Sequence, residues 1–190
     1  TYLSLAFIGT LNLINAQSNQ GFLLPITESK IEKTGVRDIV PNKYKTYHLD
    51  LQALKNKLLQ APNDKVVSAK NSSIIVNLPM PNGTYERFSV VEAPVMDEVL
   101  QASFSNIRTY SIHGIDDVFA SGKLDVTEFG FHGMISSPNG DVYIDPYCKW
   151  NTADYITYYT SDFEKPLNYR TYCEGVVGEN NSANKVSAPT

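Results

Sequence analysis

The sequence predicts a mainly β fold, an antiparallel β-sandwich or open barrel accompanied by one amphipathic helix. Three observations predict it. Short strand-like runs recur at close spacing, each bounded by turn residues. Two Asn-Gly pairs, Asn82-Gly83 and Asn139-Gly140, sit between such runs. Twelve Tyr and eight Phe in 190 residues supply the bulky side chains that pack well on a pleated surface.

Residues 1–16, TYLSLAFIGTLNLINA, hold an uncharged apolar run that gives way to polar sequence at Gln17. This reads as the apolar region of a secretory signal, with cleavage near Ala16 or Gln17. It is shorter than the ~20 residues that span a bilayer, and no other stretch spans one. The expected location is therefore extracellular. A leader over 18–45 follows, mixed and polar, ending in a short strand over 44–48.

Asp50 then precedes Leu51, Leu54, Leu58 and Leu59. The leucines recur at helical spacing, and the Asp50 carboxylate is a good acceptor for free backbone N–H groups at a helix start. Ala61-Pro62 stops the run, because proline disfavours helix in the residue before it. The expected helix covers 51–60. Strands follow at 66–67, 73–78 and 85–92, the last two joined through Pro81-Asn82-Gly83. Asn-Gly suits a type I′ turn, which takes positive φ at both central positions and matches strand twist. A helical turn is expected over 94–102, with further strands at 107–112, 123–127, 129–136, 141–145 and 154–160. The β-domain thus runs from about Val66 to Phe163, with the helix covering one end or face. Residues 180–190, NNSANKVSAPT, have no core to contribute.

Sixteen basic against twenty acidic residues give a net charge of -4. There is no basic stripe, which argues against nucleic acid as a partner. His48, His113 and His132 are scattered and lack the close spacing of metal-ligand pairs. His132, between Phe131 and Gly133, reads as a hydrogen-bonded structural histidine. His113-Gly114-Ile115-Asp116-Asp117 places two carboxylates side by side. Such pairs bind Ca²⁺ or share a proton, but neighbours in a strand point apart, and a turn with Asp side chains capping backbone groups is the plainer reading. No GxSxG, HExxH or phosphate-binding loop is present, so no catalytic constellation is named.

Cys148 and Cys173 are the two cysteines. In an exported chain such a pair most simply forms one disulfide. Cys173 also lies just before the polar tail, where a thiol can reach another domain. The residues alone leave a disulfide and a free or metal-directed thiol both open.

Phe88 to Met96 read FSVVEAPVM, and Leu100 and Ile107-Arg108-Thr109-Tyr110 follow. Gly114-Ile115-Asp116-Asp117, Gly130-Phe131-His132-Gly133-Met134-Ile135 and Val142-Tyr143-Ile144-Asp145-Pro146-Tyr147 come after them in that order. This series resembles the pro-region of secreted bacterial zinc metallopeptidases of the reprolysin type, over roughly residues 44–173. The resemblance implies a propeptide β-domain over 46–173 and a linker over 174–190 leading to a metallopeptidase domain, which the pro-region helps to fold and keeps latent. It implies zinc in the full precursor and none in these residues. It makes Cys173 the candidate ligand to that zinc, although Glu174 intervenes before Gly175-Val176 where animal relatives have a C-G-V-like motif. The chain itself is expected to be non-catalytic. A different reading is an exported β-module that binds carbohydrate or a surface partner through exposed tyrosines of the 155–159 strand.

Overall fold

The computed structural model describes residues 21–164. Nine strands form one antiparallel sheet: β1 (Leu23–Pro25), β2 (Lys45–Leu49), β3 (Ile75–Pro79), β4 (Tyr85–Glu92), β5 (Arg108–Gly114), β6 (Ser121–Thr127), β7 (Gly130–Ser136), β8 (Val142–Pro146) and β9 (Asp154–Tyr159). β3 to β9 run as an up-and-down meander. β9 then takes β2 as its other neighbour, and β1 pairs outside β2. The sheet curls until its ends approach and is nearly a closed barrel. Tyr85 Oη on β4 donates to Leu23 O on β1 at 2.7 Å, and Thr157 Oγ1 on β9 donates to Pro79 O on β3 at 3.2 Å.

The inward face follows strand periodicity. Tyr110 and Ile112, Leu124 and Val126, and Val142 and Ile144 alternate with outward residues and fill the barrel. α1 (Leu51–Leu58) covers one part of that core with Leu54 and Leu58, both fully buried. Asp50 caps it, accepting from the Ala53 N–H at 2.9 Å. Leu59, expected on the buried stripe, is exposed, because the helix has ended at Leu58. α2 (Glu98–Ser103) is the expected helical turn after Pro94 and buries none of its residues.

Three further expectations need correction. Val66-Val67 form no strand; they lie in a turn closed by Val66 and Val67 N–H groups donating to Asn63 O. The hairpin between β3 and β4 is present, but its turn is not type I′. Pro81 holds φ near -65°, which excludes positive φ at the first central position. The Gly83 N–H instead donates to Met80 O, and only Gly83 takes positive φ, at 92°, after a type I turn. Ser137-Pro138-Asn139-Gly140 repeats the solution, with Gly140 at φ 116°. Finally, residues 21–45, expected as a leader ahead of the domain, belong to the β-structure: they supply β1, with Leu23 in the barrel core, and then a strap across the barrel exterior. Among the described residues no helix is long and apolar enough to cross a membrane. The signal segment expected over 1–17 and the linker expected over 174–190, with its polar tail, lie outside them.

Candidate functional site

The strap, residues 26–44, makes the exterior of β8 and β9 into a second small core. Ile31 is buried there with Tyr147, Cys148, Ile156 and Tyr158, and Ile26, Ile39, Tyr44 and Phe163 pack around them. β9 is therefore buried on both faces: Tyr155 and Thr157 point into the barrel, Ile156 and Tyr158 under the strap. This overturns the expected sugar-stacking face. Tyr155 and Tyr158 are buried and Tyr159 only half-exposed, so none presents an open ring.

A cation clasps the strap. The Arg37 guanidinium lies 4.1 Å from the centre of the Tyr147 ring and 5.0 Å from that of Tyr44. Its Nη1 is 3.3 Å from Glu28 Oε1. Tyr147 and Tyr44 both donate to the same carboxylate oxygen, at 2.5 and 2.9 Å. The Tyr147 bond, against the opposing effect of burial and with help from Tyr44 and Arg37, holds the Glu28 carboxyl below its usual range. Burial, then the bond to Glu28, pushes the Tyr147 phenol up to about 12. Arg37 Nε and Nη2 are buried without a hydrogen-bond partner.

Beside the clasp, the Cys148–Asn151 turn leaves β8. The Asn151 N–H donates to Cys148 O at 3.1 Å, and Trp150 occupies the third position with φ 67°. It is the only non-glycine residue at positive φ among those described. The residue is 73% exposed, and its indole rests 5.1 Å from the ring of Phe129, at the β6–β7 hairpin tip. Two grooves meet at Trp150. One, about 120 Å³, includes Phe129, His132, Tyr147 and Cys148. The other, about 470 Å³ and open to solvent, is lined by Ile26, Trp150 and Ala153 together with Lys30, Glu32, Thr34 and His48.

His132 sits between two carboxylates. Its Nδ1 is 3.2 Å from Asp125 Oδ1 on β6, and this bond raises the imidazole pKa above 6.5 against the opposing effect of burial. Asp145 on β8 is buried, which raises its carboxyl pKa; the Tyr158 hydroxyl, donating at 2.8 Å, works the other way. His132 and Cys148 share the smaller groove, but no hydrogen bond joins them, so the thiol–imidazole pair of nucleophilic catalysis is not assembled there.

The expected site residues are placed as follows. His48, His113 and His132 lie on β2, β5 and β7. Among the described residues no three His, Cys, Asp or Glu side chains are grouped to hold a metal ion. Asp116 and Asp117 serve a turn: Asp116 accepts from the Arg87 N–H at 2.7 Å and pairs with its guanidinium, and Asp117 accepts from the Phe119 N–H at 2.9 Å. Cys148 is buried and, among the described residues, has no disulfide partner; Cys173 lies outside them. The sequence reading missed Trp150 and Phe129, which stand in loops with no periodic signal. It also missed the strap, although the run Asp154-Tyr155-Ile156-Thr157-Tyr158-Tyr159, apolar at both parities, is the signature of a strand covered on both sides. Comparison with protein-family models, with curated proteins and with solved structures finds no match.

Proposed function

We propose that this chain is the pro-region of a secreted zinc metallopeptidase, an inhibitor and folding aid for a catalytic domain encoded beyond Thr190. The observation that supports this reading is the ordered series of motifs from Phe88 to Tyr147, which resembles reprolysin-type pro-regions. The motifs run along the meander from β4 to β8. Phe88 to Glu92 end β4, Gly114 to Asp117 form the β5–β6 turn, and Gly130 to Ile135 and Val142 to Tyr147 make β7, β8 and the residue after it. Such a domain needs no catalytic residues of its own. Its work is to cover a cleft and to present Cys173 to the zinc.

A catalytic zinc of this kind has three protein ligands and one open position for water. A thiolate from Cys173 in that position would displace the water that attacks the scissile carbonyl, and zinc would hold the thiol deprotonated at neutral pH. Cys173 is nine residues beyond Glu164. An extended chain of that length reaches at most ~30 Å, so the zinc would lie within about that distance of Glu164. The test reads the coding sequence past Thr190 for HExxH and then adds purified residues 1–190 to the matching mature peptidase. Saturable inhibition is expected. A stop codon or an unrelated domain past Thr190, or a peptidase indifferent to the added chain, would overturn the reading.

A further inference from the structure

Trp150 is placed at a cost that folding does not return. In the third position of a tight turn with φ 67°, glycine is the cheap residue and a bulky side chain is strained. Strained residues normally persist because packing holds them. Trp150 gains little in this way: the residue is 73% exposed, and its ring meets only that of Phe129, itself 47% exposed. Phe129 borders only the smaller groove. The larger groove, bounded by Trp150 as well, is also lined by Lys30, Glu32 and Thr34; Asn151 and Asp154 line it too, but their side chains are already bonded to each other, to backbone N–H groups and to His48. The groove is an open surface depression of about 470 Å³.

We propose that Trp150 and this groove form a saccharide-binding subsite. The chemistry decides between ligands. Protein-docking hot spots are depleted of charge at their centre, whereas this groove carries exposed Lys30 and Glu32 beside one aromatic platform. A pyranose ring needs both: an apolar C–H face that stacks on an indole, and a rim of hydroxyls that bond to carboxylate, amide, hydroxyl and ammonium groups. Glu32 and Lys30 are exposed, and Thr34 lines the groove with them. The indole supplies the stacking face, held out by the backbone that glycine would otherwise occupy. This subsite is separate from the buried tyrosines of β9 and does not depend on the pro-region reading.

Trp150 is the one tryptophan of the 190 residues, so indole emission of the full chain reports on this position alone. The chain is titrated with cellohexaose, xylohexaose, chitohexaose and maltohexaose, and with decaproline as a peptide control. The expected result is a saturable emission shift with at least one hexasaccharide below ~1 mM and none with decaproline. Calorimetry with the responding sugar should show binding weakened at least ~10-fold in Trp150→Gly and Glu32→Gln. Trp150→Gly should melt at or above the wild-type temperature, since it relieves the strained φ. The proposal is overturned if no sugar shifts the emission up to ~10 mM, if only decaproline does, or if Trp150→Gly binds as wild type. A lower melting temperature for Trp150→Gly overturns the strain argument that supports it.

Discussion

His132 and Asp125 show how a single pair sets a pH dependence. Their bond raises the folded imidazole pKa above the unfolded value of 6.5. The stabilisation is therefore complete below about pH 6.5 and is lost as pH rises through the higher folded value. Asp145, the other carboxylate near His132, acts in the same sense on the imidazole. Asp125→Asn should lower the melting temperature at pH 6 and leave a smaller gap at pH 9. The side chains are 35% and 40% exposed, so solvent screening keeps the effect below ~1 kcal/mol. A gap that widens with pH would contradict the sign. The structural role of His132 was legible in its sequence context, between Phe131 and Gly133. Trp150 was not legible, because a turn that tolerates tryptophan where glycine is cheap leaves no composition signal.

At the scale of elements, the meander was readable and the strap was not. Alternation and the two Pro-Asn-Gly turns place β3 to β8 within a few residues, even though proline changes the turn type. The α1 start was readable because Asp50 is a local cap whose partner lies three residues away. The strap has no period of its own; Ile26, Ile31 and Ile39 are spaced to suit the surface they cover. It passes close to the Cys148–Lys149 backbone at Gly35. A Cβ there would meet Lys149 O at 2.3 Å and Cys148 Sγ at 3.5 Å, and the first of these is backbone, which cannot swing away. Gly35→Ala should therefore lift the strap from Cys148. In a Cys173→Ser background, Cys148 should react slowly with a thiol reagent, and Gly35→Ala should speed that reaction at least ~10-fold, local opening being the rate-controlling equilibrium. An unchanged rate would mean that the strap does not shield Cys148.

For the whole molecule, the barrel and its strap form one scaffold with two distinct cores, and Phe163 near the end of the described chain is packed into the outer one. The overall β architecture was legible because periodicity and turn chemistry are local. The candidate zinc-ligand role of Cys173 came only from the resemblance, since no spacing within this chain marks a thiol for a metal in another domain. The isolated chain should hydrolyse neither casein nor a peptide library, with or without Zn²⁺; zinc-dependent turnover abolished by a chelator would count against the pro-region account. The most direct measurement of that account is the peptidase activity of the full precursor carrying Cys173→Ala, beside wild type and Cys148→Ala, each checked for folding by its melting curve. The account predicts premature activity in Cys173→Ala while Cys148→Ala stays latent. A Cys173→Ala precursor as latent as wild type, with no free thiol titrating at Cys173 in the wild-type pro-region, would contradict it.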